Sequence, residues 1–187
     1  MRVVAGKYKG FNLLSPKVKT SRPTDNKVKE AIFDMLFPYK ANFKALDLFS
    51  GTGQMGIEFL SRGAWKVYFN EKNTSTYAIL KENIEKIKDD SAFLTKLDFR
   101  KALKYYKEEH LKFDYIFLDP PYEGDMLKQA IELIIECELL NDEGIIITES
   151  DRELDFSGKG NLLILKEKSY GRKLIKIYRR NESYLSR

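Results

Sequence analysis

Cysteine and histidine are almost absent from this chain, which has one of each among its 187 residues. The single Cys137 excludes an internal disulfide framework and a cysteine-based zinc site, and its apolar neighbours indicate a buried structural thiol. His110 is expected at a solvated helix end and not in catalysis. No apolar run approaches the roughly 20 residues that span a bilayer, and the N-terminus lacks the apolar core of a signal peptide. These absences predict a cytoplasmic protein with no metal site and no membrane segment.

The composition is that of a globular protein, with 43% hydrophobic and 33% charged residues. The length suits one domain with a small appendage. The formal charge of +5 is modest, but lysine and arginine are concentrated in residues 1–30 and 166–187. This asymmetry favours a polyanionic partner such as nucleic acid, while an ordinary solvated surface rich in lysine is the alternative.

The N-terminal part predicts a small extension to the main domain. Residues 1–15 alternate short apolar and basic stretches around glycines, which indicates a β-hairpin. A helix follows, in which Val28, Ile32 and Leu36 recur at four-residue steps until Pro38 ends it. We therefore expect a hairpin-and-helix extension over residues 1–40.

From residue 43 the pattern alternates between buried strands and amphipathic helices, which predicts an α/β fold with a doubly wound sheet over residues 41–187. The last two strand segments have no helix between them, so they should form an antiparallel hairpin at the C-terminal end of a mostly parallel sheet. The predicted strands lie near residues 45–49, 66–69, 93–97, 115–118, 145–149, 161–165 and 174–178.

A glycine-rich turn follows the first of these strands. Residues 51–56 match the pattern G-x-G-x-x-G, and Glu71 comes 20 residues after Gly51, as in dinucleotide-binding sites. Asp47 lies inside the strand before the turn, where its charge would repel a pyrophosphate. A sulfonium cofactor with an ammonium group suits Asp47 better, so we favour it over NAD.

Acidic residues close three successive strands, at Asp47, Glu71 and Asp98. Because the carboxyl ends of parallel strands meet at one edge of such a sheet, we expect these side chains to share a ligand site. Asp98 can accept a hydrogen bond from an adenine amino group while the following aromatic ring covers the base. Unrelated acids at a solvated rim are the alternative. The expected cofactor-binding residues are Asp47, Phe49, Gly51, Gly53, Glu71, Lys72, Asp98 and Phe99.

The fourth strand ends in Asp119-Pro120-Pro121-Tyr122. Two prolines cannot continue a sheet ladder, so the backbone must leave the strand in a rigid turn. The carboxylate and the carbonyl groups of this turn can accept hydrogen bonds from an exocyclic amino group, while Tyr122 stacks on the base. A rigid loop that only ends the strand is the alternative interpretation.

These motifs resemble those of a known enzyme family. Residues 47–53 are similar to motif I of the class I (Rossmann-like) S-adenosylmethionine-dependent methyltransferases, and residues 119–122 resemble the motif of enzymes that methylate adenine N6 or guanine N2. Residues 1–10, together with Arg22-Pro23-Thr24 and the helix after them, are similar to the RsmD family. That family methylates N2 of a guanine in bacterial 16S ribosomal RNA.

The resemblance implies S-adenosylmethionine as the cofactor and Asp119, Pro120, Pro121 and Tyr122 as the catalytic residues. It also implies 16S rRNA as the partner, within the assembled or assembling small ribosomal subunit, and we expect a monomer. The basic N-terminal extension is the expected RNA-docking surface. Its candidate RNA-binding residues are Arg2, Lys7, Lys9, Arg22, Thr24, Lys27 and Lys29.

The chain departs from the family at Asn26-Lys27-Val28-Lys29, where members commonly have Asp-Arg-Val-Arg. Lysine does not reproduce the bidentate phosphate contact of arginine. Three alternatives stay open: methylation of adenine N6 or of another guanine N2, a non-catalytic RNA-binding protein with this fold, and an NAD-dependent oxidoreductase.

Overall fold

The computed structural model describes residues 1–16, 23–121 and 124–181, and gives only the backbone for residues 23–25. These residues contain five α-helices and seven β-strands. The helices are α1 (Pro23–Leu36), α2 (Gln54–Ser61), α3 (Thr74–Ile87), α4 (Phe99–Glu108) and α5 (Met126–Glu136). The strands are β1 (Lys44–Asp47), β2 (Lys66–Asn70), β3 (Ala92–Thr95), β4 (Phe113–Leu118), β5 (Leu140–Ser150), β6 (Leu162–Tyr170) and β7 (Lys173–Arg180).

The seven strands form one sheet in the order β3-β2-β1-β4-β5-β7-β6. β1 runs parallel to β2 and β4, β2 runs parallel to β3, and β4 runs parallel to β5. β7 runs antiparallel to both β5 and β6. The predicted mostly parallel, doubly wound sheet with a C-terminal antiparallel hairpin is therefore confirmed. The chain changes direction across the sheet between β1 and β4, which is where such sheets bind ligands.

Hydrophobic residues cover both faces of the sheet, which explains the nearly continuous apolar character of its central strands. In β4, Ile116 and Leu118 pack with the core that includes α4 and α5. The alternating Tyr115 and Phe117 pack with the core on the opposite face, which includes α1, α2 and α3. Successive side chains of a strand point to opposite faces, so both helix layers pack against this one short strand.

The N-terminal segment, residues 1–16, folds back on itself, but it contains no regular pair of strands. The Val3 N–H donates to the Phe11 carbonyl at 3.0 Å, and Arg2 and Asn12 form an isolated antiparallel bridge. Val3 and Leu13 are buried in the same core as α1, α2 and α3. The segment therefore shares a hydrophobic core with the main domain, and the boundary after residue 40 stays a prediction.

Cys137 is buried, as expected for a structural thiol, and burial raises its pKa. None of the helices in the described ranges is both long and apolar enough to cross a membrane. Within those ranges, no three acidic, histidine or cysteine side chains are grouped so that they could hold a metal ion.

Candidate active site

A cavity of about 830 Å³ lies at the carboxyl edge of the parallel strands. This volume is in the range of sites for cofactors and other small molecules. Its lining includes Phe49, Gly51, Asn70, Glu71, Lys72, Asn73, Leu97, Asp98, Phe99, Asp119, Pro120, Pro121, Met126, Glu149 and Lys173. The structure thus brings together most of the predicted site residues. Two of them, Asp47 and Gly53, are not in the lining, and Tyr122 lies outside the described residues.

Two glycines determine the shape of the glycine-rich turn and its packing against β2. Gly53 has a φ of +88°, a conformation that glycine adopts without strain. A Cβ atom on Gly56 would lie 2.1 Å from a ring atom of Phe69, so only glycine allows α2 to approach β2 this closely. The Gly56 N–H donates to Asp47 Oδ2 at 2.9 Å, which ties the start of α2 to the end of β1.

Asp47 is buried, with 1% of its surface exposed. Burial raises the pKa of its carboxyl to about 7, the charge of Glu71 adds to this rise, and the hydrogen bond from Gly56 opposes it. Asp47 is not among the residues that line the cavity, and its assignment to cofactor binding stays a prediction. The Gly56 N–H donates to the Asp47 carboxylate, so Asp47 stabilises the glycine-rich turn from its buried side.

Asp47→Asn is expected to stabilise the unliganded protein above pH 7. The pKa of this carboxyl rises from 3.8 to about 7 on folding, so the unfolded chain ionises first and stability falls as pH rises through this interval. At 1.4 kcal/mol per pKa unit, the penalty reaches about 4 kcal/mol above pH 7 and disappears below about pH 4. Asparagine does not ionise and keeps an oxygen that accepts from Gly56.

Chemical denaturation at a series of pH values measures this difference. The stability gained by Asp47→Asn should grow between about pH 4 and about pH 7 and then stay constant. Asp34→Asn, which removes an exposed carboxylate from α1, is the matched control. A gain that is independent of pH would contradict the assignment of a raised pKa to Asp47.

Glu71 connects the glycine-rich turn to the start of α3. Its Oε2 accepts from the Gly51 N–H at 3.0 Å, and its Oε1 accepts from the Asn73 N–H at 2.6 Å. A carboxylate has about four acceptor positions, so both oxygens retain capacity for a ligand hydroxyl group. The predicted placement of this acid at the cavity wall is thus matched by the structure, and its orientation is set by two backbone amides.

Asp98 lines the cavity beyond the end of β3 and caps the start of α4. Its side chain accepts from the Arg100 N–H at 3.1 Å and pairs with Lys72 at 3.0 Å. Although burial acts in the opposite direction, these hydrogen bonds hold the pKa of Asp98 below its usual range. The rings of Phe49 and Phe99 lie nearby with centroids 5.3 Å apart. Aromatic rings beside a carboxylate can bind the face of a base and an amino group on its edge.

Asn70 is a site residue that the sequence interpretation missed. Its side chain is buried at the end of β2 and donates to the carbonyls of Leu48 and Leu97 at 3.3 and 3.1 Å. Its Oδ1 accepts from the Leu97 N–H at 3.2 Å. One amide therefore fixes the loops after β1 and β3. A polar residue that ends an apolar strand was the available signal.

The other end of the cavity is formed by β4, β5 and β7. Asp119, Pro120 and Pro121 line it, as predicted, together with Glu149 and Lys173. Glu149 and Lys173 form an ion pair. Glu149 could have been selected by the rule that identified the other strand-end acids, since it lies near the end of β5. No sequence signal indicates Lys173, because its position depends on the return of the C-terminal hairpin.

A second cavity of about 160 Å³ shares Asp119, Glu149 and Lys173 with the first. Its remaining wall is formed by α1, by α2 and by β4. The residues that complete it are Val28, Lys29, Ile32, Gln54, Met55 and Phe117. The helix of the N-terminal extension thus contributes directly to a wall beside Asp119.

The candidate RNA-binding residues lie in different environments. Arg2, Lys9 and Lys27 are exposed. Lys7 is half exposed and forms an ion pair with Asp89 at 2.9 Å, next to the end of α3. Arg22 and the side chain of Thr24 lie outside the described part of the structure. Among these candidates, Arg2, Lys7, Lys9 and Lys27 are therefore the described cations that a polyanion could reach.

The prediction that Lys29 binds RNA is wrong for this structure, because Lys29 is buried with 2% of its surface exposed. Its ammonium group pairs with Glu58 at 2.9 Å and donates to the Arg2 carbonyl at 2.7 Å. Glu58 also accepts from the Val4 N–H at 2.7 Å and pairs with Arg62. Burial lowers the pKa of Lys29, and the charge of Glu58 opposes this change. The cluster joins the N-terminal segment, α1 and α2.

Asn83 makes a second connection between the N-terminal segment and the site. Its Oδ1 accepts from the Leu14 N–H at 2.7 Å, and its Nδ2 donates to the Leu14 carbonyl at 3.1 Å. The same Nδ2 donates to the carbonyl of Thr52, in the glycine-rich turn, at 2.9 Å. A single buried amide on α3 thus contacts both the chain that leads to residues 17–22 and the turn beside the cavity.

The strand order, the glycine-rich turn and the cavity at the carboxyl edge define the fold of the class I S-adenosylmethionine-dependent methyltransferases. The solved structure of yhhF from Escherichia coli matches with a TM-score of 0.85 and 27% identity, over 97% of this chain and 98% of that one.

The chain belongs to the family described as conserved hypothetical protein 95, whose model matches residues 1–179. The resemblance to the RsmD family is thereby confirmed. YlbH of Bacillus subtilis is 36% identical over 96% of this chain and 99% of its own length. Ribosomal RNA small subunit methyltransferase D of Haemophilus influenzae is 34% identical over 91% of this chain and 89% of its own.

Proposed function

We propose that this protein transfers a methyl group from S-adenosylmethionine to N2 of a guanine in 16S ribosomal RNA. The observation that carries the proposal is the position of Asp119, Pro120 and Pro121 in the wall of the cavity that Glu71 and Asp98 also line. An amino-group acceptor and a nucleoside site thus share one space. The relatives named ribosomal RNA small subunit methyltransferase D support RNA as the substrate.

The residues of the cavity fit S-adenosylmethionine by their chemistry. The rings of Phe49 and Phe99 suit an adenine face, Asp98 suits its amino group, and Glu71 suits ribose hydroxyls. When bound, the cofactor supplies an electrophilic methyl group on a sulfonium. The negative charge of Glu71 also suits a cationic ligand better than it suits the pyrophosphate of NAD.

The protein has little covalent chemistry to perform, and its main task is to align the amine with the methyl group. The N2 lone pair of guanine is delocalised into the ring and is a poor nucleophile. Hydrogen bonds from N2–H to the Asp119 carboxylate and the Pro120 carbonyl would favour a pyramidal nitrogen and orient its lone pair. The methylated amine is positively charged and loses its proton readily, so Asp119 need not remove it before attack.

A base enters such a site only after it leaves its stack, at a cost of a few kcal/mol. The assembled or assembling small ribosomal subunit is the substrate we propose, with the enzyme acting as a monomer in the cytoplasm. The support for a large RNA substrate is the set of exposed cations on the N-terminal segment and α1. Phosphate contacts of this kind supply affinity and position, whereas the cavity supplies the choice of base.

Incubation with methyl-labelled cofactor and small subunits from a strain that lacks the enzyme tests the proposal. The expected result is one labelled nucleotide in 16S rRNA, identified as N2-methylguanine by mapping and mass spectrometry. Label at adenine N6, or in another RNA, would contradict the substrate that we propose. Calorimetric titration with S-adenosylmethionine and with NAD separates the oxidoreductase alternative, which predicts binding of NAD alone.

The double variant Lys9→Ser/Lys27→Ser is expected to weaken binding to small subunits without changing cofactor affinity. Each lost phosphate contact should lower the slope of log affinity against log salt by about 0.7 to 0.9. Lys101→Ser/Lys104→Ser removes the same charge from exposed positions on α4 and is the control. Filter binding over a range of salt concentrations measures the slopes. Equal slopes for both double variants would contradict an N-terminal RNA-docking surface.

A further inference from the structure

Three charged side chains lie at the ends of three neighbouring strands, in the order β4, β5, β7. Leu118 is in register with Thr148, so Asp119 and Glu149 are the next residues along β4 and β5. Leu174 is in register with Ser150, which places Lys173 one step beyond, at the start of β7. Asp119, Glu149 and Lys173 all line both cavities of the site.

The Watson–Crick edge of guanine presents three polar groups in a row: the N2 amino donor, the N1–H donor and the O6 acceptor. The row of side chains presents the complementary set, with two carboxylates as acceptors and one ammonium as a donor. Asp119, Glu149 and Lys173 line one cavity from three neighbouring strands, so all three can contact a single base.

From this match, which rests on the proposed function, we propose that Glu149 and Lys173 select guanine by binding N1–H and O6 while Asp119 binds the amino group. A protein that acts on an extruded base recognises it by hydrogen bonds to this edge. Glu149 and Lys173 are thus assigned a role in specificity, and Asp119 keeps its role at the reacting nitrogen.

The ion pair between Glu149 and Lys173 is compatible with this role. N1 and O6 are neighbours on the guanine ring, so their partners must also be neighbours. A carboxylate has a second oxygen and an ammonium has further hydrogens, so both groups can contact the base while they remain paired. Glu149 is 5% exposed, and pairing with Lys173 offsets the cost of burying its charge before RNA arrives.

Adenine does not match this row when its N6 amino group is placed on Asp119, as methylation of N6 requires. Its N1 acceptor would then face the Glu149 carboxylate, and its C2–H would leave the Lys173 ammonium without an acceptor on the base. A buried polar group left without a partner is strongly disfavoured, and a site that hydrogen-bonds its substrate rejects analogues that lack those groups. The same two residues therefore disfavour the adenine-N6 alternative.

The test replaces the mapped guanine with 2-aminopurine, which keeps the amino group at N2 but lacks O6 and N1–H. Small subunits reconstituted with either base are methylated by the wild-type enzyme and by variants of Lys173 and Glu149. Wild type should prefer guanine by about a hundredfold, and Lys173→Met or Glu149→Gln should each lower this preference about tenfold. Lys173→Arg keeps a donor and should retain most of the preference.

Arg172→Met, an exposed cation in the adjoining turn, is the matched control and should keep the wild-type preference. Calorimetry with S-adenosylmethionine shows that each variant retains its folded cavity. An unchanged preference in Lys173→Met and Glu149→Gln, or an equal fall in Lys173→Met and Lys173→Arg, would overturn the assignment while the proposed function stands. Absence of N2 methylation by the wild-type enzyme would overturn both.

Discussion

Asp119→Ala is expected to lower the rate of methyl transfer about a thousandfold and to leave cofactor affinity nearly unchanged. Removal of a single hydrogen-bonding group aimed at a reacting centre costs about 10² to 10³ in rate. Here the missing carboxylate also orients the lone pair of the amine, so we expect the upper end of that range. Glu71 and Asp98 line the cavity and are untouched by the change.

Single-turnover methylation of small subunits measures the rate, and calorimetry measures cofactor binding. Asp125→Ala removes an exposed carboxylate at the start of α5 and is the control. Asp119→Asn retains a carbonyl oxygen, and we expect a rate between those of wild type and Asp119→Ala. Wild-type rates for Asp119→Ala would show that residues 119–122 are only a strand-ending turn.

Lys29→Met is expected to destabilise the protein by about 3 to 5 kcal/mol, because it leaves a buried carboxylate with less compensation. Glu58 is fully buried, and Lys29 is one of its two cationic partners. The change also removes the hydrogen bond to the Arg2 carbonyl, which helps to hold the N-terminal segment against α1. In a protein of this size, the melting temperature should fall by roughly 10 °C.

Lys27→Met provides the comparison, since Lys27 lies two residues earlier on the same helix and is exposed. Lys27→Met should change the free energy of unfolding by no more than about 0.5 kcal/mol. It should weaken binding to small subunits more than Lys29→Met does, when both variants are measured below the melting range of Lys29→Met. Thermal and chemical unfolding, combined with filter binding, separate these outcomes. Unchanged stability in Lys29→Met with weakened RNA binding would restore Lys29 as an RNA-binding residue.

The wrong prediction for Lys29 shows that a local sequence pattern does not reveal a buried ion pair. Val28, Ile32 and Leu36 mark the buried stripe of α1, and Lys29 adjoins that stripe at helical spacing. Its charge nevertheless suggested an exposed position, since lysine is almost never fully buried unless it is paired. Its partner is Glu58, on a different helix, and no local pattern links the two.

The protonation of Asp47 also depends on burial, which local sequence patterns do not show. Its place in the strand and its negative charge led to the prediction that it faces a positive group of the cofactor. The interpretation assumed an ionised carboxylate directed at a ligand, whereas burial raises its pKa to about 7 and one oxygen is bound by the Gly56 N–H. Burial is a property of the packed protein, so neither its extent nor its effect on the proton could be predicted from spacing.

Local sequence patterns predict the alternation of strands and helices, the parallel sheet with its terminal hairpin, and the strand-end residues Glu71, Asp98 and Asp119. These follow from local periodicity and from the rule that parallel strands end at one edge. The interaction partners of the polar side chains depend on the packed fold. It placed Lys29 on Glu58, connected Asn83 to both Leu14 and Thr52, and brought Lys173 beside Glu149. The reason is that these contacts join residues far apart in the chain, and their distances exist only once the two faces of the sheet are packed.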